Sequence, residues 1–175
     1  FHHTTNIQGS FKKMNSYYYQ IDSPIGPLHL AANSKALTAI HHSFERLKDW
    51  NKNDVIYENK KNIIIEKTIL QLTEYFNGKR KHFNIPLDLS GTNFQLNAWE
   101  ALKKIPYAKT VSYSDQAKLI GNPKASRAIG NANNANPISI IVPCHRVIGK
   151  SGKLVGYGGG LDRKDYLLEL EQKND

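Results

Sequence analysis

The alternation of apolar and polar residues between Tyr17 and His42 is the pattern that most constrains the fold. A period of two residues is typical of β-strands that bury one face. Proline and glycine interrupt the alternation at Asp22-Ser23-Pro24-Ile25-Gly26-Pro27, which indicates a turn. The pattern therefore predicts two strands, at 18–21 and 28–32, and a third at 37–40.

Helical spacing replaces this alternation after residue 63. Asn77-Gly78 is a typical helix end, so we expect one helix over 63–76. Together with the strands, the helix predicts a small α+β domain over residues 14–89. The apolar residues that recur near helical spacing are Ile65, Leu70, Leu72 and Phe76.

Composition indicates an ordinary globular protein. No apolar run approaches the about 18 residues that a membrane span needs, and no signal-peptide pattern is present. The only cysteine, Cys144, cannot form an internal disulfide, so we expect a cytoplasmic location.

Residues 1–13 contain a histidine pair and no methionine. We expect them to be a leftover tag or disordered, with Met14 as the native start.

The segment Leu89-Ser90-Gly91-Thr92 marks the junction to a second predicted domain, over residues 90–175. Thr92 is suited to cap a helix, and Pro106 is suited to end it. The apolar residues of this helix are Phe94, Ala98, Trp99, Leu102 and Ile105.

Two further helices, joined by a tight turn, are expected next. Ser112 and Asp115 have the spacing of a capping box at the start of the first helix, and Gly121 is suited to its end. Asn122 is then predicted to cap the second helix, with Pro123 in its first turn.

The second of these helices has a predicted buried stripe of mostly small side chains, with Arg127 pointing outward. A helix-turn-helix that exposes an arginine suits DNA binding, although an ordinary helical hairpin has the same pattern. The formal net charge of +9 also favours a polyanionic partner. A basic protein indifferent to DNA remains the alternative. The stripe consists of Ala125, Ala128, Ile129 and Ala132.

Cys144 follows a predicted buried strand at 138–142 and Pro143. Such a cysteine can simply be a small buried hydrophobe. The cationic neighbours His145 and Arg146 instead favour a thiol whose pKa is lowered. The segment Gly156-Tyr157-Gly158-Gly159-Gly160 adds a backbone that can approach a flat ligand and an aromatic face for stacking.

A last helix is predicted to begin near Asp162, as its cap, and to bury Leu167 and Leu168. Glu171 shares their face, whereas Glu169 points to solvent. A buried glutamate needs a partner, and a histidine would fit. A frayed glutamate near the chain end is the alternative.

With these motifs the sequence closely resembles the O6-alkylguanine-DNA alkyltransferases, also called methylated-DNA–protein-cysteine S-methyltransferases. The resemblance extends from Met14 to about Glu171 and is most specific around the cysteine. Its main motifs are Ile141-Val142-Pro143-Cys144-His145-Arg146-Val147-Ile148, Gly156-Tyr157-Gly158-Gly159-Gly160-Leu161 and Gly121-Asn122-Pro123-Lys124-Ala125-Ser126-Arg127-Ala128.

The resemblance implies four catalytic residues. Cys144 would accept the alkyl group from guanine O6 in an SN2 step. His145 would act as base through a water, and Glu171 would orient it. Tyr113 would hydrogen-bond the flipped base and help to protonate the leaving guanine.

It also implies five residues that bind the substrate or the DNA. Arg127 would fill the space left by the extruded nucleotide. Asn136 would brace the turn before the cysteine segment. The backbone of Val147 and Gly158 would read the base edges, and Tyr157 would wall the pocket.

The implied fold is α+β: a small N-terminal α/β, ribonuclease-H-like domain, followed by a mostly helical C-terminal domain with a helix-turn-helix. The implied partner is double-stranded DNA containing O6-alkylguanine, with O4-alkylthymine left open. The protein would act as a monomer, without a membrane and without a cofactor. Because the product is a stable thioether, each molecule would react once.

Two departures from the family pattern qualify this expectation. Some relatives have a zinc site built with cysteines in the N-terminal domain, and no cysteine is available for it here, so we expect no metal. Asn133-Asn134 stands where many relatives have a further basic residue, which puts the affinity of that helix for DNA in doubt.

Two other functions compete with alkyl transfer. A helix-turn-helix regulator with a structural Cys144 would bind an operator and perform no chemistry. A cysteine hydrolase using Cys144, His145 and Glu171 would turn over a small ester or amide and ignore DNA.

Overall fold

The computed structural model describes residues 16–50 and 57–175, so the expectation for residues 1–13 lies outside the described residues. The N-terminal part is a four-stranded sheet in the order β3 (Leu37–His41), β2 (Leu28–Ala32), β1 (Ser16–Ile21) and β4 (Tyr57–Asn59). Neighbouring strands are antiparallel except for the parallel pair of β1 and β4. The three predicted strands are confirmed; the fourth strand and the short first helix were not predicted. This first helix is α1 (Phe44–Trp50).

The predicted helix is confirmed as α2 (Ile63–Phe76), and it ends at Asn77 and Gly78. Its buried face differs from the predicted one, because Leu70 is 61% exposed. Leu72 and Tyr75 are fully buried, and Leu70, two residues from Leu72, lies on the opposite side of the helix.

Two of the four helices that the structure describes in the C-terminal part begin where the capping signals predicted. Thr92 and Gln95 form a capping box at the start of α3 (Asn93–Lys103), and Ser112 and Asp115 form another at the start of α4 (Tyr113–Leu119). Gly121, with φ of +76°, follows α4 as predicted. The remaining elements are β5 (Val111–Ser112), α5 (Ser126–Asn134), β6 (Val147–Ile148) and α6 (Leu161–Lys173).

The prediction that Asn122 caps the next helix is wrong. The Asn122 carbonyl instead accepts a hydrogen bond from the Ala125 backbone N–H at 3.0 Å, so residues 122–125 form a turn and α5 begins at Ser126. Ala128 is consequently exposed, and the buried face consists of Ile129, Ala132 and Asn133.

A buried amide pair fixes α5 against α4. Gln116 Nε2 donates to Asn133 Oδ1 at 2.9 Å, and Asn133 Nδ2 donates back to Gln116 Oε1 at 2.7 Å. Gln116 Nε2 also donates to the Ala98 carbonyl of α3 at 3.1 Å. Three helices therefore share one polar contact inside an otherwise apolar cluster.

The predicted strand at 138–142 is wrong. This segment is a buried turn that touches the sheet through a single bridge, between Ile40 and Ile138. Ile140 has φ of +75°, which no regular strand allows. The side chains at 138, 140 and 142 are all buried, and an apolar run of this length looks the same in a buried strand and in a buried turn.

The start of the last helix also differs from its prediction. Gly160, with φ of +96°, is the N-cap of α6, and Asp162 lies within the first turn rather than capping it. Leu167 and Glu171 are fully buried, and Glu169 is exposed, as their spacing predicted.

One hydrophobic core runs through both parts of the molecule. It includes Leu28 from the sheet, Leu72 from α2, Trp99 from α3 and Leu167 from α6. The order of a sheet domain followed by a mostly helical domain is confirmed, whereas the boundary at residue 89 stays a prediction. In the described part of the chain, no helix combines the length and the apolar character needed to cross a membrane.

The two leucines of α2 test the corrected helix face. Leu72→Ala should lower the free energy of unfolding by about 2–5 kcal/mol, because it leaves a cavity in the core. The matched control Leu70→Ala should change it by less than about 0.5 kcal/mol, because Leu70 is exposed. Urea titrations of both variants measure the difference, and equal losses would contradict this placement.

Candidate active site

Cys144 lies on the wall of a pocket of about 480 Å³. It begins the 3-10 turn Cys144–Arg146, directly after Pro143, and its side chain is 8% exposed. The pocket separates α5 from the glycine-rich loop, with lining residues from both. Its other lining residues include Tyr113, Gly130, Asn131, Val155, Gly156 and Tyr157.

Burial raises the pKa of the Cys144 thiol above its ordinary value. A hydrogen bond with the Asn136 side chain and the charges of Lys164 and Arg46 oppose this shift without reversing it. The prediction that His145 and Arg146 lower the thiol pKa is therefore wrong. Both side chains are directed to Glu171 instead. The resting thiol is protonated, so its reaction needs a base.

Glu171 pairs with the two residues that follow the cysteine. His145 Nε2 lies 2.7 Å from Glu171 Oε2, which is the contact with a histidine that the buried face of α6 predicted. Arg146 Nε donates to Oε1 at 2.8 Å, and Arg146 Nη2 to Oε2 at 3.2 Å. The side chains of His145 and Glu171 are completely buried.

The charge states of this group follow from its contacts. Burial alone would raise the pKa of Glu171, but the hydrogen bonds and charges of His145 and Arg146 hold it well below its usual range. Burial lowers the pKa of His145, and Glu171 only partly opposes this effect. We therefore assign a neutral imidazole that donates from Nε2 to the carboxylate.

The other ring nitrogen of His145 is the one that can take a proton. Nδ1 is buried and has no hydrogen-bond partner among the described residues. Its lone pair is therefore free, and an imidazole protonated there would keep its bond to Glu171. The residue that follows the buried thiol in the chain therefore has a ring nitrogen that can accept a proton.

Two tyrosines form part of the pocket wall. Tyr113 Oη donates to the Val155 carbonyl at 2.5 Å, and burial raises its pKa, so it remains a proton donor. Tyr157 Oη lies 3.1 Å from Nε2 of His42, the residue directly after β3. The sheet domain thus supports the loop that carries Tyr157.

Lys164 is a further site residue to which no role was given from the sequence. Its Nζ donates to the carbonyls of Val147, Val155 and Gly156 at 2.6, 3.0 and 3.1 Å. It joins β6 to the glycine-rich loop. Lys164 lies three residues before Leu167 and seven before Glu171, so helical spacing already placed it on the buried face.

The remaining predicted residues occupy different places. Asn136 braces the turn after α5, because its Nδ2 donates to the Val142 carbonyl at 2.7 Å. Arg127 is exposed on α5, the helix whose Gly130 and Asn131 line the pocket. Gly158 is not brought into the pocket lining. It lies against the Arg46 guanidinium, with which an added Cβ would collide.

Comparisons with known proteins cover both parts of the chain. Residues 16–89 match the family model described as "6-O-methylguanine DNA methyltransferase, ribonuclease-like domain". Residues 93–173 match the model described as "6-O-methylguanine DNA methyltransferase, DNA binding domain". The predicted fold class is confirmed, whereas the helix-turn-helix within it stays a prediction.

Individual relatives are similar over nearly their whole length. The chain is 47% identical to the methylated-DNA–protein-cysteine methyltransferase of Methanosarcina acetivorans, covering 89% of this chain and 97% of the relative. It is 48% identical to the protein of that name from Mycobacterium tuberculosis, covering 89% and 92%. The crystal structure of Mycobacterium tuberculosis OGT in complex with DNA superposes with a TM-score of 0.82 at 47% identity, covering 90% and 94%.

The two glutamates of α6 test the buried ion pair. Glu171→Gln should lower the free energy of unfolding by about 3–5 kcal/mol, because it leaves the Arg146 guanidinium without its charge partner. Glu169→Gln removes the same charge from an exposed position two residues away and should have almost no effect. Thermal and urea unfolding at neutral pH compare the two. Similar stabilities would show that Glu171 is not buried as described.

Proposed function

Because the chain belongs to the 6-O-methylguanine DNA methyltransferase family, we propose that it repairs DNA by direct reversal, moving the alkyl group of O6-alkylguanine to Cys144. The observation that carries this proposal is the position of the buried Cys144 thiol on a pocket wall. The next residue, His145, forms a buried hydrogen bond with Glu171. The activity is that of a methylated-DNA–protein-cysteine S-methyltransferase.

The charge states define the first step. The raised pKa of Cys144 keeps the thiol protonated at rest, so a base must remove its proton as the sulfur attacks. His145 Nδ1 would take that proton through a bridging water, since the side chains of adjacent residues seldom face each other. The bond from Nε2 to Glu171 would then stabilise the imidazolium.

The transfer itself exchanges one bond for another. The sulfur of Cys144 attacks the alkyl carbon, an S–C bond forms and the C–O6 bond breaks. Guanine leaves with the electron pair, and Tyr113 supplies it with a proton. The thioether cannot be hydrolysed by the groups of the site, so each molecule reacts once and no cofactor is consumed.

The geometry favours a base that has left the helix stack. A buried sulfur cannot reach the O6 alkyl carbon of a stacked guanine in line, which requires base flipping. α5 both lines the pocket and exposes Arg127, so this helix would contact the DNA while the flipped base enters beside it. The helix pair α4–α5 would act as the helix-turn-helix. Asn133 lines the pocket, but its side-chain amide is paired with Gln116, so it would make no ionic contact with the DNA.

The remaining substrate contacts are proposed from the pocket wall. Tyr157 would face the base. Val147 is fully buried in β6 and does not line the pocket, and its carbonyl accepts from Lys164, so this segment would have to move before that carbonyl could contact the base. Gly158 could contribute only after the loop leaves Arg46. A monomeric state, a cytoplasmic location and action without a cofactor or a metal stay predictions.

Intact-protein mass spectrometry tests the proposed function. After incubation with duplex DNA containing O6-methylguanine, the protein should gain one methylene group, localised to Cys144, and Cys144→Ser should gain nothing. A regulator would bind the DNA without a change of mass, and a hydrolase would leave the DNA methylated. An unchanged mass with methylated DNA recovered would refute alkyl transfer.

Arg127→Ala tests the role of α5. The variant should repair duplex DNA about tenfold more slowly or worse, because flipping loses its support, while its reaction with the free base O6-benzylguanine should be almost unchanged. Lys67→Ala, which removes an exposed charge from α2, is the control for net charge and should leave both rates unaltered. An equal loss of both rates in Arg127→Ala would mean that Arg127 maintains the fold.

A further inference from the structure

Tyr75 connects the sheet domain to the proposed proton relay. It lies on α2, its side chain is completely buried, and its Oη donates to Glu171 Oε2 at 2.6 Å. His145 Nε2 contacts the same oxygen at 2.7 Å. The tyrosine and the histidine therefore share one carboxylate oxygen, although they are distant in sequence.

The hydrogen bonds to Glu171 occupy the full acceptor capacity of its carboxylate. Oε2 also accepts a hydrogen bond from Arg146 Nη2. Oε1 accepts one from Arg146 Nε and one from the backbone N–H of Ala108, the latter at 3.1 Å. Two oxygens offer about four lone-pair positions, so five donors saturate them. Among these donors, Tyr75 is the one contributed by the sheet domain.

We propose that Tyr75 is a positioning residue for alkyl transfer, whose hydrogen bond aims Oε2 at His145 and limits how strongly Glu171 stabilises the protonated imidazole. The proposal rests on the proposed function, because it takes His145 as the base. Tyr75 does not touch the reacting atoms and acts only through the carboxylate.

The direction of the effect follows from charge. A hydroxyl that donates to Oε2 draws negative charge away from His145, so the imidazolium is stabilised less than it would be by an unshared carboxylate. Arg146 from the 3-10 turn and Lys164 from α6 also disfavour the imidazolium. Tyr107 faces Glu171 from the loop after α3. Burial and Glu171 raise the pKa of Tyr75 well above its usual value, so its hydroxyl remains a donor.

Tyr75→Phe removes this one hydrogen bond and keeps the ring. The base must be neutral to accept a proton, so the rate of alkyl transfer falls as the pH drops through the pKa of His145. In Tyr75→Phe that acid limb should move to higher pH by about one unit, because the carboxylate becomes a stronger partner of the imidazolium. The limiting rate above the limb should change much less. Single-turnover rates measured across the limb give the shift.

Tyr107→Phe is a matched control. Tyr107 is buried, its ring centroid lies 6.4 Å from that of Tyr75, and its Oη has no hydrogen-bond partner among the described residues. Its variant removes a buried hydroxyl near Glu171 without removing a bond to it, so its acid limb should stay in place. An unshifted limb in Tyr75→Phe, or equal shifts in both variants, would overturn the proposal.

A second substitution covers the case in which Tyr75→Phe does not fold. 3-Fluorotyrosine at position 75 keeps the ring and hydroxyl but is a stronger donor, so it should move the acid limb to lower pH. An NMR titration of ¹⁵N-labelled His145 detects the same shifts without any substrate. If the wild type transfers no alkyl group, the proposed function fails, while the titration still decides whether Tyr75 controls His145.

Discussion

The buried carboxylate of Glu171 is the contact on which the rest of the site depends. It accepts hydrogen bonds from α2, from the loop after α3 and from the 3-10 turn that carries the cysteine, and it belongs itself to α6. Removing a carboxylate from water costs several kcal/mol, and only the Arg146 guanidinium and a complete set of donors can offset that cost. The Glu171 carboxylate therefore both holds these segments together and binds the proposed base, His145.

Lys164 is the counterpart of Glu171 on the same helix. The two residues are seven apart, about two helical turns, so both face the interior. Glu171 fixes the 3-10 turn below Cys144, whereas Lys164 fixes the carbonyls of β6 and the glycine-rich loop. One helix thereby positions the acceptor and one wall of its pocket, with opposite charges at the two places.

The features that were predictable from the sequence have strong local causes. The capping boxes at Thr92 and Ser112 are set by residues three apart, and the strands by a period of two. The burial of Glu171 and its contact with a histidine were predictable because helical spacing places it on the same face as Leu167. The residues adjacent to Cys144 indicated a reactive thiol, but for the wrong reason, because the thiol pKa is raised rather than lowered. The family resemblance supplied the substrate and the proposed roles.

What was missed depends on contacts between distant segments. Burial in the folded state, rather than the neighbouring charges, controls the thiol pKa of Cys144. Tyr75 is 96 residues from its carboxylate partner, and no spacing rule connects them. For the segment 138–142 the apolar run predicts burial but not backbone conformation, so it cannot distinguish a buried strand from a buried turn. Isoleucine rarely adopts a positive φ, so the residue type at position 140 does not indicate the turn.

The amide pair between Gln116 and Asn133 has a consequence for the thermodynamics of association. Reciprocal amide bonds are directional, so they fix the angle between α4 and α5 more narrowly than apolar packing alone. A helix pair that is already rigid loses little conformational entropy when it docks on a duplex. In the proposed docking of α5 on a duplex, Asn133 would therefore contribute to the rigidity of the helix pair rather than an ionic contact.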